Sequence, residues 1–108
     1  MAFGTATIRD GADAYSQLFC TVLTVAGDGA YPTGGTASFG AFMRTALASQ
    51  KKGDIDVVAA YGYAAGGLYV AFYDAQNDKL VVLDGTLAQP TNGADLSASS
   101  FVLTVFYK

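Results

Sequence analysis

Apolar and polar positions along the chain alternate mainly with the period of two that is typical of β-strands. Three apolar runs lie within residues 54–84, at 55–63, 68–73 and 80–83. They are separated by Gly66-Gly67 and by residues 74–78, and connections of this length and composition join antiparallel strands. This part of the chain therefore predicts three consecutive antiparallel strands around which the rest is arranged.

The middle run is apolar on both of its sides. Successive side chains of a strand point to opposite faces, which divides this run into Leu68, Val70 and Phe72 on one side and Tyr69, Ala71 and Tyr73 on the other. The run at 101–107 has the same two-sided character. Such a strand is either central to a two-layer domain or covered in part by another chain.

Further strands are predicted near residues 3–9, 15–25 and 101–107, where Val, Thr and aromatic residues are frequent. One stretch, 39–47, instead has helical spacing: a single apolar stripe at i, i+3, i+4, i+7 and i+8 consists of Phe39, Phe42, Met43, Ala46 and Leu47. Thr36 or Ser38 is expected to cap this helix, and Lys51 and Lys52 suit its negative end before Gly53 stops it.

These elements predict one mainly β domain over residues 1–108, in which about six antiparallel strands form a β-sandwich or a β-barrel-like structure with one short helix. Residues 1–12 are a candidate N-terminal arm. We expect the core to include Cys20, Phe72, Leu103 and Val105.

The composition suggests that part of the surface is buried in an assembly. Apolar residues make up 52% of the chain and charged residues 14%, whereas soluble domains carry about a quarter charged residues. We therefore expect a homo-oligomer, and closed cyclic symmetry is the commonest arrangement of identical chains. The alternative is a small, merely hydrophobic soluble domain.

The charge and the single cysteine exclude several classes of function. Nine Asp against six Lys plus Arg give a net charge of −3, which argues against a nucleic-acid partner, since such partners call for a basic patch. Cys20 alone cannot form an intrachain disulfide. No apolar stretch approaches the ~20 residues that span a bilayer, and the first residues do not resemble a signal peptide. We expect neither membrane association nor secretion.

The chain lacks His, which many enzymes use, and its neighbouring Asp residues are better explained as parts of turns and strand ends. Without His, neither a Ser-His-Asp triad nor a His-ligated zinc site can form. Asp74, Asn77 and Asp78 could offer oxygen ligands to Ca²⁺, but this composition is ordinary for a hairpin turn. Asp54 and Asp56 could approach the spacing of glycosidase carboxyls, although a solvated strand entrance explains them better. We predict no enzyme, catalytic residue, metal site or cofactor.

The order of features along residues 28–108 resembles that of small head-decoration (cement) proteins of tailed bacteriophages. The matching motifs are the loop AYPTGG at 30–35, DVV at 56–58, GLYVAFYD at 67–74, KLVV at 79–82 and DLS at 95–97. The resemblance implies a β-sandwich or β-barrel-like protein on the capsid exterior of the virion, assembled in the host cytoplasm, with the major capsid protein as partner. It also favours a trimer at a capsid three-fold position. The helix at 39–47 is a departure from the simplest all-β picture.

Three segments suit docking better than core packing: the arm at 2–9 and the loops at 28–35 and 86–99. The candidate contact residues within them are Phe3, Ile8, Arg9, Tyr31, Pro32, Leu87 and Pro90. Tyr31 is either the anchor, because an aromatic ring with a polar tip is a frequent contact residue, or a ring folded back to plug the end of the sandwich. A carbohydrate- or host-binding β module of a virion fibre or adhesin is the alternative function.

Overall fold

The computed structural model describes residues 4–7, 18–65 and 67–108. Within these residues the chain forms six strands and one helix: β1 (Phe19–Ala26), β2 (Thr36–Ala37), α1 (Phe39–Ala46), β3 (Val57–Ala64), β4 (Tyr69–Asp74), β5 (Lys79–Asp84) and β6 (Ser100–Tyr107). The strands form one antiparallel sheet in the order β1-β6-β3-β4-β5-β2. The predicted class, a mainly antiparallel β domain with one short helix, is confirmed.

The sheet combines two local hairpins with three pairings between strands that are distant along the chain. β3, β4 and β5 follow each other directly, as the Gly-rich and Asp/Asn-rich connections predict. β6 then returns to lie between β1 and β3, where it pairs with both. The register places Tyr61 of β3 opposite Thr104 of β6 on one side and opposite Phe72 of β4 on the other.

The core lies on one face of this sheet, beneath α1 and the long loops. β6 contributes most of its bulk, because its alternate residues Phe101, Leu103, Val105 and Tyr107 are all buried. The neighbouring strand β3 presents small residues on the same face at 60, 62 and 64, and Val57 packs against the core at its start. The apolar stripe of α1 completes the core with buried side chains at Phe39, Met43 and Leu47.

A side chain from a distant turn, rather than Thr36 or Ser38, holds the start of α1. Ser38 has a left-handed backbone (φ 60°) and makes no side-chain cap, and Thr36 lies in β2. Instead, Gly40 N–H donates to the Asp78 carboxylate (2.8 Å), and Phe39 N–H lies 3.4 Å from the Asp78 carbonyl oxygen. The predicted helix is therefore present with Ser38 at its N-cap position, but the expected cap by a Ser38 or Thr36 side chain is replaced by Asp78.

The finer arrangement of the strands differs from the prediction, because the described strands form one sheet and the second layer is made of α1 and loops. Two predicted core residues are consequently outside: Phe72 is 42% exposed, and Cys20 is also exposed. Both lie on the side of the sheet that α1 does not cover. Leu103 and Val105 are fully buried, as predicted.

The predictions for the first residues are tested only in part. The described residues 4–7 are not in a strand, and the rest of the predicted strand at 3–9 lies outside the described residues. The strand predicted at 15–25 is present from Phe19 onwards as β1, while residues 15–17 lie outside the described part.

Candidate interaction surface

The side of the sheet opposite α1 is an apolar surface, which we call the open face. It consists of alternate residues of β1, β3, β4 and β6: Cys20, Val22, Thr24, Ala59, Tyr61, Tyr63, Val70, Phe72, Val102, Thr104 and Phe106. Four of these, Thr24, Tyr61, Tyr63 and Thr104, carry hydroxyl groups, and none is charged. An antiparallel sheet with one covered face usually presents polar residues on the other, so the open face is unusual for a surface in water.

The large side chains of the open face are substantially exposed. The exposed fraction is 62% for Val22, 55% for Tyr61, 53% for Tyr63, 46% for Val70 and 42% for Phe72. A half-exposed aromatic side chain leaves roughly 100 Å² in water, so the whole face offers on the order of 600 Å² of apolar surface. A contiguous apolar patch of this size is at the upper end of what soluble monomers expose, and such patches are often functional.

Tyr61 lies at the middle of the open face. β3 is flanked by β6 and β4, and the Tyr61 ring stacks on the Phe106 ring with the centroids 6.3 Å apart and an interplanar angle of 29°. Phe72 is the direct partner of Tyr61 on β4. Aromatic residues of three adjacent strands, Tyr61, Phe72 and Phe106, therefore lie at the centre of the face, and we call them the aromatic ridge.

The turn between β4 and β5 uses its acidic groups internally. Asn77 Nδ2 donates to Asp74 Oδ2 (2.8 Å), and this hydrogen bond lowers the pKa of the Asp74 carboxyl. Asp78 Oδ1 accepts hydrogen bonds from Gly40 N–H and from the Tyr73 hydroxyl (2.7 Å). The described residues contain no cluster of three or more acidic, Cys or His groups that could hold a metal ion. The segment is a hairpin turn that also supports α1.

The structure brings two of the three predicted contact segments together at one end of the sheet. The loops at 28–35 and 86–99 are joined by Gly93 N–H to the Tyr31 carbonyl oxygen (2.6 Å), Tyr31 N–H to the Ala94 carbonyl oxygen (2.8 Å) and Thr33 N–H to Asn92 Oδ1 (3.0 Å). We call this pair of loops the loop end. Phe3, Ile8 and Arg9, from the third segment, lie outside the described residues.

Tyr31 is a core residue of the loop end. Its side chain is completely buried, and its hydroxyl donates to Gln89 Oε1 (2.7 Å) and accepts from Val82 N–H (3.1 Å). The sequence allowed two interpretations of Tyr31, and the structure agrees with the one in which the ring folds inward. A ring with no exposed surface is not an accessible anchor, so the prediction of Tyr31 as the main contact residue is corrected.

Leu87 is the most exposed large apolar residue of the loop end, with 76% of its surface in water. Asp84 holds its loop in place, because Asp84 Oδ1 accepts from Thr86 N–H (2.8 Å), from the Thr86 hydroxyl (2.7 Å) and from Ala88 N–H (3.1 Å). The Thr86 hydroxyl is the main cause of the lowered pKa of Asp84. Pro32 and Pro90 are half-buried nearby. Whether Pro32, Leu87 and Pro90 contact a partner stays a prediction.

A cavity of about 250 Å³ lies between α1, the end of β1 and the loop end. Its walls are mainly apolar and include Val25, Phe39, Phe42, Leu80, Leu96 and Phe101. At its rim the Thr36 hydroxyl donates to Asp28 Oδ2 (2.8 Å). This cavity could not be predicted from the sequence, because its walls come from segments that are distant along the chain.

No family model matches the chain, and neither a curated protein nor a solved structure shows significant similarity to it. Among the described residues, no helix has the length and apolar character needed to cross a membrane.

Proposed function

We propose that the chain is a non-enzymatic decoration protein that binds the outside of a bacteriophage capsid, with the major capsid protein as its partner. The observation that carries the proposal is the exposure of large apolar side chains on more than one side of a small domain. Tyr61 is 55% exposed on the open face, and Leu87 is 76% exposed at the loop end. A subunit that contacts several neighbours at once needs such a distribution.

The loop end is the proposed capsid contact. It contains the motif AYPTGG and the segment before β6, which belong to the part of the chain that resembles cement proteins. Its backbone is cross-linked by hydrogen bonds between the two loops, so Leu87 is presented on an ordered support. A pre-ordered contact loses less conformational entropy on binding than a flexible one.

Binding to the assembled shell but not to its dissociated subunits stabilises the shell by mass action. The effect is ~2.7 kcal/mol per site at a hundredfold excess over the dissociation constant. Many copies that each make a modest contact are therefore sufficient, and no chemistry at the contact is required.

The proposal is tested with capsids of the virus that encodes the chain, prepared with and without the protein. We expect capsids that carry it to release DNA at a higher temperature. Leu87→Asp should abolish sedimentation of the protein with capsids, while Phe42→Asp, on α1, serves as the matched control. Equal release temperatures with and without bound protein would refute the cement role.

The aromatic ridge of the open face favours a second candidate, the carbohydrate- or host-binding module. Tyr61 and Tyr63 are accessible rings of the kind that stack on sugars. A sugar also needs hydrogen-bonding partners, and apart from the tyrosine hydroxyls the open face offers only the hydroxyls of Thr24 and Thr104. Binding of the protein to a panel of immobilised bacterial surface glycans, lost in Tyr61→Ala, would favour this function over the capsid role.

A further inference from the structure

We propose that the open face packs against the open face of a second copy of this chain, so that a β-sandwich forms between two molecules. In this arrangement the core face of each sheet is covered by its own α1 and loops, and the other face is covered by the partner sheet. The inference rests on the open face alone and does not depend on the capsid role.

The first argument is the area. The open face offers on the order of 600 Å² of apolar surface, close to the ~800 Å² that each partner buries in a standard stable interface. The rim of the face adds the side chains of Leu18 and Leu68, which are 55% and 67% exposed. Two such faces can therefore form a complete interface without help from another protein.

The second argument is the charge. The molecule carries a net charge of −3, so two copies repel each other wherever their charges approach. The eleven residues of the open face carry no charge. The next pair along β4 and β5 on this side of the sheet, Asp74 and Lys79, has opposite charges. The open face is therefore a surface on which identical copies meet with few like-charge contacts. A partner of opposite charge would instead be matched by acidic groups on the face.

The third argument is the geometry. Two sheets that pack face to face interdigitate apolar side chains at a spacing of ~10 Å. The ridge of Tyr61, Phe72 and Phe106 at the centre of the face supplies such side chains. A face that meets its own copy is related to it by a two-fold axis. The contact therefore predicts a dimer, whereas the trimer implied by the resemblance needs two different surfaces on each copy.

The decisive experiment measures the molar mass of the wild-type chain and of variants by light scattering over a range of concentrations. We expect the wild-type chain to be a dimer at micromolar concentrations. Tyr61→Lys places two ammonium groups near the two-fold axis and should raise the dimer dissociation constant at least about 100-fold. Phe42→Lys is the matched control, because Phe42 is exposed to a similar extent (51%) but lies on α1. It should leave the dimer intact.

A second variant separates loss of the contact from loss of the fold. Tyr61→Thr keeps a residue that favours strands but removes the ring, and it should weaken the dimer about tenfold or more while the circular dichroism spectrum stays unchanged. A wild-type monomer at high concentration would overturn the inference and leave the face for a different partner. A trimer, or a dimer that Tyr61→Lys and Tyr61→Thr leave intact, would overturn it as well.

Discussion

The hydroxyl oxygen of Tyr31 lies 3.1 Å from the backbone nitrogen of Val82, at the edge of the sheet that β2 covers only in part. β2 pairs with Leu80 and Lys79 and extends no further along β5. The next outward N–H of β5 belongs to Val82, which is 4% exposed and so has little access to water. Tyr31 supplies its acceptor, and this explains why the ring is buried.

Tyr31→Phe should therefore lower the free energy of unfolding by about 1–3 kcal/mol, because it leaves the buried N–H of Val82 without a partner. Urea unfolding followed by circular dichroism measures the change. Tyr63→Phe is the control, since Tyr63 is 53% exposed, and its effect should stay within about 0.5 kcal/mol. Equal effects of the two changes would contradict the role assigned to Tyr31.

Asp78 should stabilise the domain through its two hydrogen bonds, to Gly40 N–H and to the Tyr73 hydroxyl. Asp78→Ala removes Oδ1, which accepts both hydrogen bonds, and places Ala at a left-handed position (φ 53°). We expect a loss of about 1–3 kcal/mol in urea unfolding. Asp78→Asn keeps an acceptor oxygen and tolerates the backbone conformation. It should therefore lower the free energy of unfolding less than Asp78→Ala does. If Asn is as harmful as Ala, the carboxylate charge matters more than the geometry.

Stability should decline at high pH because of Tyr73. Burial, together with its hydrogen bond to the Asp78 carboxylate, raises the pKa of Tyr73 from its ordinary value of 10.0 to about 12. Between these values the folded chain keeps a proton that the unfolded chain releases, so this contribution is complete below pH 10 and is lost as the pH rises towards 12. Thermal unfolding from pH 8 to 12 should show a steeper decline for the wild type than for Tyr73→Phe. If the stability of the wild type and of Tyr73→Phe declined in parallel with pH, Tyr73 would not be the cause of the decline.

The two faces of the sheet should respond differently to truncation. Leu103→Ala removes a completely buried side chain and should lower the free energy of unfolding by about 2–5 kcal/mol. Phe72→Ala, on the open face, should cost the monomer about 1 kcal/mol or less. The comparison is made in the Tyr61→Lys background, so that the loss of a subunit contact does not add to the result. A larger effect at Phe72 would mean that the open face is covered within one chain.

Cys20 offers a natural probe of the open face, where it lies on the edge strand β1. In the monomeric Tyr61→Lys variant, we expect its thiol to react with Ellman's reagent without denaturant. In the wild-type chain, the rate should fall as the protein concentration rises, because the partner sheet covers β1. A rate that does not depend on concentration would show that the interface leaves this edge uncovered.

The strands could be predicted from the sequence because a period of two is a local property. The sequence does not, however, predict which side of the sheet becomes the core. Leu68, Val70 and Phe72 are as apolar as Tyr69, Ala71 and Tyr73, so the alternation defines two faces without ranking them. The ranking comes from where α1 and the loop end pack, and this depends on contacts between distant segments.

The candidate surface was predictable only in outline. The two-sided apolar pattern indicated that another chain could cover one side of a strand. In the structure, the exposed apolar side chains of these strands lie on the open face. The burial of Tyr31 was one of two alternatives that the sequence left open, because the group that its hydroxyl binds, Val82 N–H, lies 51 positions along the chain. The capping role of Asp78 was also hidden, since its partner Gly40 belongs to an element 38 residues away.

The position of β6 has a consequence for synthesis of the protein on the ribosome. β6 follows every other described strand in the chain, yet it lies between β1 and β3 and supplies the largest buried side chains of the sheet. Before residue 107 leaves the exit tunnel, β1 has no neighbour among the described strands, and the edge of β3 that β6 later covers is unpaired. The nascent chain must therefore wait in an aggregation-prone state, with unpaired strand edges, until translation has passed this strand.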